Sequence, residues 1–187
     1  MARSDETLSQ MAAYATSSTT IVTPAGTSRA VVARASPSIF PMLGASMKLG
    51  RPLLEREEHA DSRVVVLSGD AWRSYFGAST TIVGSTVTLE GVGHTVVGVL
   101  AADFDFPTHA TEFWIPFVHE PAATGRERFV NVVARLRDNV SWRDAAVEAD
   151  VIGHQVAAGA LVRDRSQSQV PRYRVQRLQS QMTAPGR

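Results

Sequence analysis

Apolar and polar residues alternate over several short stretches of this chain, and switch to three- and four-residue spacing in only a few others. Thr19 to Thr23 predicts a strand, Pro24-Ala25-Gly26-Thr27 a turn, and Arg29 to Ala35 the returning strand of a first hairpin. Before them, residues 1–17 are small and polar; they predict a poorly packed start, or a short helix around Glu6 to Tyr14. Ser36-Pro37 is a helix start, with Ser as N-cap and Pro at the first helical position, and Gly44 stops that helix. Arg51 to Arg63 is charged and predicts a solvent-facing loop.

The continuous β-branched run Val64-Val65-Val66-Leu67 predicts a buried strand. Ser68 then caps a helix carrying Trp72, Tyr75 and Phe76, and Gly77 ends it. Ser85 to Leu89 and Thr95 to Leu100 alternate about Gly91-Val92-Gly93, a hairpin with Val87 and Leu89 on its inner face. Phe104 to Pro107 and Trp114 to Pro116 predict an irregular aromatic segment covering a sheet edge. Phe129 to Arg137 predicts a strand with Val130, Val132, Ala134 and Leu136 on one face. Ser141 and Asp144 open a helix behind it with a capping-box-like start, its stripe formed by Trp142, Ala145, Ala149, Ile152 and Val156. Tyr173 and Val175 belong to a last expected strand. Hairpins outnumber crossovers, so the expected class is α+β: a mixed, mostly antiparallel sheet with packed helices, open to division into two small lobes.

Composition narrows the function more than the fold. At 187 residues, 44% hydrophobic and 20% charged, the chain is long enough to bury a core without staples. Its net charge of +1 gives no global case for nucleic acid, and none is expected as a partner. No cysteine is present, which removes disulfides, thiolate metal sites and cysteine nucleophiles. No apolar run approaches the roughly 18–20 residues of a membrane span, and the first residues lack a signal-peptide pattern. Direct membrane insertion by this chain is therefore not expected.

Each candidate for chemistry has a plainer structural reading. The histidines at 59, 94, 109, 119 and 154 lack the spacing of a zinc site. Glu57-Glu58-His59 with Asp61 is the best acidic cluster, and a solvated loop accounts for it. Asp103 and Asp105 flank Phe104 in the manner of paired carboxylates for acid–base work, yet nothing nearby supplies a second role. Ser68 sits between strand and helix, but Val66 and Asp70 stand where a nucleophile elbow needs glycine. Gly91, Gly93 and Gly98 lie in a hairpin and not before a helix, so they form no dinucleotide fingerprint. Asn139-Val140-Ser141 fits the glycosylation pattern, and Arg163, Arg165, Arg172, Arg174 and Arg177 form a basic strip best read as a solvated face. The expectation is no catalytic, cofactor-binding or metal residue, and no cofactor.

The ordered landmarks do carry a resemblance. Phe40-Pro41-Met42-Leu43-Gly44, Leu49-Gly50-Arg51-Pro52, Val66-Leu67-Ser68, Trp72 and Phe76-Gly77 come first. Ile82-Val83-Gly84, Leu89-Glu90-Gly91, Val96-Val97-Gly98-Val99, Phe104 to Pro107, Trp114-Ile115-Pro116 and Val133-Ala134-Arg135-Leu136-Arg137 follow in order. Together they resemble the MacB-like periplasmic core domain of ABC-transporter permeases with the FtsX-type architecture. Glu90 departs from the Asn frequent in that family's Leu-x-Gly turn.

The resemblance implies a non-enzymatic extracytoplasmic domain, at the periplasmic face of the cell membrane, coupling membrane motion to a partner or substrate outside the cytoplasm. It implies as partners the rest of a permease, a separate ATP-binding subunit or domain, and a periplasmic adaptor. The expected layout is a start or remnant over 1–17, the core domain over 18–178 and a tail over 179–187 leading toward a transmembrane segment. The resemblance also implies a fragment lacking its first strand, with a sheet edge left open. A stand-alone binding module of the same fold is the second reading, and a hydrolase built on Ser68, Asp103 or His94 the third. The loop from Arg51 to Arg63 and the aromatic segment from Phe104 to Trp114 are the candidate partner faces.

Overall fold

The computed structural model describes residues 7–23, 26–118 and 130–148, together with Leu178. The expected strand at Tyr173 and Val175, the arginine strip from Arg163 to Arg177, and His119 and His154 lie outside the described residues. Contacts divide the chain into two units, Met11–Val133 and a second built from Met1–Gln10 with Ala134–Arg187.

The larger unit is organised by strands: β1 (Leu8–Thr23), β2 (Gly26–Ala35), β3 (Met47–Gly50), β4 (Val64–Leu67), β5 (Thr86–Leu89), β6 (Val92–Leu100) and β7 (Thr111–Pro116). They hydrogen-bond in the order β2-β7-β4-β6-β5-β1, and β1 also pairs with β2. The path therefore closes on itself. Closure runs through β1, which pairs with β2 along Tyr14–Thr23 and with β5 at Ile21 and Val22, where an open edge was expected from a missing first strand. β2 with β7 and β4 with β6 run parallel; β1–β2, β1–β5, β3–β6, β4–β7 and β5–β6 are antiparallel. This is the mixed, mostly antiparallel α+β arrangement expected from the sequence.

Three expectations change. Of the helix anticipated around Glu6 to Tyr14, Leu8 to Tyr14 are strand: the backbone partners there come from outside the segment, as where Ser36 N donates to the Ala13 carbonyl at 2.9 Å and Tyr14 opens the register with β2. Thr111–Pro116 is not an irregular edge cover: it lies between β2 and β4, and Phe113 and Trp114 are almost wholly buried. The short helix α1 (Ile39–Met42) begins after Ser38, not Ser36. Ser36 instead ties down β1, its hydroxyl accepting from the Ala13 N–H at 3.4 Å.

Helix α2 (Gly69–Phe76) follows the sequence signals closely. The Ser68 hydroxyl accepts from the Ala71 N–H at 2.9 Å, and Gly77 closes the helix with a left-handed φ of 58°. Trp72 packs into the core with Val65, Leu67, Val96, Val99 and Phe113, and its indole donates to the Ser79 carbonyl at 2.8 Å. Lys48, the only lysine, stands 5.7 Å from the Trp72 ring centroid.

Two sequence landmarks meet where β3 ends against β6. β6 bulges at Val97, so that Val65 faces Val96 while Val66 faces Gly98. Arg51 N donates to the Val97 carbonyl at 2.9 Å. A Cβ at Gly98 would lie 2.2 Å from the Arg51 carbonyl oxygen, and one at Gly50 (φ 65°) would lie 2.2 Å from the Val97 oxygen. Glycine at both positions is thus a condition of the crossing.

In the smaller unit, Arg137 N donates to the Thr7 carbonyl at 2.9 Å and Ser9 Oγ to the Arg135 carbonyl at 3.1 Å. Thr7 Oγ1 also donates to the Glu148 carboxylate. Residues 142–148 are helical, and the expected cap forms: Ser141 Oγ accepts from Asp144 N at 3.2 Å and donates to the Asp144 carboxylate at 2.6 Å. Strand β8 (Asn131–Leu136) is present, and Val130 and Val132, expected to share one face, are both exposed. Alternation reveals that a strand has two faces; it does not say which one is covered.

Candidate functional site

Two clefts in the larger unit gather the polar residues. Ser18 of β1 lines one, and its neighbours Ser17 and Thr19 line the other, so the clefts open on opposite faces of the β1–β2 hairpin.

The first, about 350 Å³, lies at the start of α2 and brings together Arg29, Ser68, Asp70, Asp105, His109 and Glu112. Its polar groups are already committed to each other. Ser68 is the helix cap, and its N–H donates to the Glu112 carbonyl at 2.8 Å. The Glu112 carboxylate accepts from the Tyr75 hydroxyl at 2.8 Å and from the Val31 N–H at 3.2 Å. Burial, and then that bond to Glu112, push the Tyr75 hydroxyl above its ordinary pKa. Arg29 donates to Ser18 Oγ at 3.2 Å, and Asp70 pairs with Arg73. His109 Nδ1 meets the Asp105 carboxylate at 2.9 Å, and this hydrogen bond raises the exposed imidazole's pKa. No hydrogen bond joins Ser68 to a histidine among the described residues, so the cleft assembles no nucleophile–base pair there.

The second cleft, about 280 Å³, holds Arg34, Arg63, Glu90 and His94, with Thr19 and Ser62. His94 is buried on β6 and its Nδ1 meets the Val92 carbonyl at 3.0 Å, which makes Nδ1 the protonated nitrogen of the neutral ring. Desolvation, opposed by the Val92 bond and aided by the charges of Arg63 and Arg34, holds its pKa below the ordinary value. Glu90 is the first residue of the two-residue β5–β6 turn, with φ 52° followed by Gly91 at 78°. That is the geometry in which Asn-Gly is preferred and Glu is strained.

The remaining sequence candidates are dispersed. Asp103 is exposed, and Asp105 is paired with His109. The charged loop is not uniformly solvated: Glu57 turns inward at the end of a single 3-10 turn (Glu55–Glu57) and takes a forked contact from Arg51, at 2.7 and 3.1 Å. Burial would raise the Glu57 carboxyl. The Arg51 hydrogen bond, the Leu54 N–H and the charges of Arg51 and Arg56 outweigh it and set the pKa below the ordinary carboxylate value. Among the described residues no group of three or more His, Asp or Glu is gathered as metal ligands would be. Gly91 and Gly93 lie at the β5–β6 turn as expected, and Asn139 is exposed with a left-handed φ of 70°.

In the aromatic segment proposed as a partner face, Phe106, Phe113 and Trp114 are buried, while Asp105, Thr108, His109 and Ala110 are exposed. Phe106 stacks edge-on to Tyr14 at 4.8 Å, Phe104 to Trp114 at 5.8 Å, and the Trp114 indole donates to the Phe106 carbonyl at 3.2 Å. Arg34 was not among the sequence candidates, and Arg63 and Glu112 entered only as members of the two candidate partner segments. Only strand alternation, which puts Arg34 on the same face as Val32, carried a signal for any of them.

A family model, the MacB-like periplasmic core domain, matches residues 2–152. The fold is similar to the crystal structure of the periplasmic region of MacB from Actinobacillus actinomycetemcomitans (TM-score 0.64, 18% identity, covering 83% of this chain and 69% of that one). It is also similar to the extracellular domain of the noncanonic ABC-type transporter YknZ from Gram-positive bacteria (TM-score 0.59, 18% identity, 73% of this chain and 70% of that one). No curated protein matches the sequence. No helix among the described residues is long and apolar enough to cross a membrane.

Proposed function

The chain belongs to the MacB-like periplasmic core domain family, extracytoplasmic domains of ABC-type permeases, and from that premise we propose that it is a non-catalytic coupling element. In this reading, the closed strand path transmits motion from membrane helices to a partner or substrate outside the cytoplasm. The observation that carries the proposal is the family match, seated on a unit whose first cleft has its polar groups paired with one another and whose buried core includes Trp72, Phe113 and Ile115. A densely packed interior passes displacement on without absorbing it.

The partners that follow are the remaining permease, a separate ATP-binding subunit or domain, and a periplasmic adaptor. The core domain is proposed to span 18–178. The exposed side of the loop from Arg51 to Arg63, where Glu58 and His59 face solvent, is the favoured contact surface.

Affinity purification of the tagged chain from detergent-solubilised native membranes tests this. Co-purification of an ATP-binding subunit is expected. Recovery from the soluble fraction, free of any such subunit, would favour the stand-alone binding module instead.

A further inference from the structure

The geometry points to the cleft of Arg34, Arg63, Glu90 and His94 as a binding site for a single carboxylate group, occupied in the free protein by Glu90's own side chain. Three observations converge on it.

The cavity is lined by two guanidinium groups held from separate elements, β2 and the segment leading into β4. Neither is saturated. Arg34 reaches Ser17 Oγ only at 3.4 Å and the Glu90 carboxylate at 3.5 Å, both at the limit of hydrogen-bond distance. Arg63 gives Nη1 to the Ala60 and Ser62 carbonyls at 2.8 and 3.1 Å, which fixes the side chain. Its Nε and Nη2 make no hydrogen bond among the described residues.

The second observation is Glu90 itself. A glutamate at a left-handed position followed by glycine carries backbone strain that asparagine or glycine would relieve. The turn needs the conformation but has no use for the carboxylate. The cleft does: it places that carboxylate against Arg34, half exposed and held by a long contact that an incoming carboxylate can replace.

The third is His94, which forms a buried wall of the cavity. Arg34 from β2, Arg63 from the segment before β4, and Glu90 from the β5–β6 turn are the charged groups that face it, beside the Val92 carbonyl. Burial first, and then two cations against one anion, hold the His94 pKa below its ordinary value in the free protein. A bound carboxylate adds the missing negative charge and favours the imidazolium, so binding tightens as pH falls. This site does not depend on the coupling role.

The test follows the His94 imidazole by 15N NMR in the whole chain, titrated with acetate or with an acetylated peptide bearing one Asp. Chloride at equal ionic strength is the control. Saturable shifts are expected with the peptide, with or without acetate: both binding indicates a lone-carboxylate site, the peptide alone a peptide-borne one. Arg34→Gln is expected to weaken binding about tenfold, and Arg63→Gln to weaken it less. Glu90→Gln keeps the strained turn but removes the resident charge, and is expected to tighten binding about threefold or more, a gain that misfolding does not mimic. Absence of saturable shifts with either probe would overturn the site, and so would unchanged or weaker binding in Glu90→Gln.

Discussion

Two of the places in the larger unit where the backbone turns left-handed use that conformation differently. At the β3–β6 crossing, Gly50 (φ 65°) and its neighbour Gly98 let two backbones touch, and any side chain would collide with a carbonyl oxygen. At the β5–β6 turn, Glu90 adopts φ 52° with its side chain half exposed, and a Cβ on the adjacent Gly91 would meet nothing within 4 Å. The crossing spends glycine to protect packing. The turn accepts strain to keep a carboxylate. Strain carried by a residue with a cheaper alternative argues for its side chain, whereas glycine under steric pressure argues only for the fold.

The largest expected effects lie at the crossing. Gly98→Ala or Gly50→Ala should lower unfolding free energy by about 3 kcal/mol or more, measured by urea denaturation. Gly44→Ala is the control: its φ of 70° is equally left-handed but its surroundings are open, so a loss of only about 1 kcal/mol is expected. Equal losses at Gly44 and Gly50 would show that conformation and not contact governs the crossing.

Next in size is Glu57. Glu57→Gln should cost about 1–2 kcal/mol near neutral pH, by removing the charge that Arg51 and the Leu54 N–H bind. Because the folded-state pKa is depressed, that stability is present above the unfolded carboxylate value. It is lost as pH falls through the folded one, so wild type and variant should converge in acid.

His94 acts over a higher window. Its folded pKa lies below the unfolded value of about 6.5, so the unfolded chain binds more protons and stability falls as pH drops below that value. Thermal melts should show this decline in the wild type and a flatter profile in His94→Gln.

The smallest effect is a gain. Glu90→Asn should stabilise by about 0.5–1 kcal/mol, since relief of the turn exceeds the weak exposed contact with Arg34.

How legible these regions were in the sequence follows their chemistry. Ser68, the aromatic spacing behind it and Gly77 specify α2 locally, and each forms as read. The alternation of Val87 and Leu89 likewise fixes the β5–β6 hairpin and its inner face. β7 was opaque because its identity as an inner strand depends on parallel pairing with β2, some 80 positions away, which no local pattern encodes. β1 was opaque at its start for the same reason. Glu57 read as solvated because its burial comes from Arg51 folding over it. Of the charged residues of the second cleft, only His94 was nominated for chemistry, since Arg34 and Arg63 join it through the topology.

The most direct test of the central claim uses the absence of native cysteine. Glu58→Cys places one thiol on the exposed loop, and intact cells expressing the variant are treated with a membrane-impermeant maleimide. An extracytoplasmic permease domain predicts labelling without permeabilisation, to the same extent as after it. Labelling that appears only after the cells are opened would contradict the account.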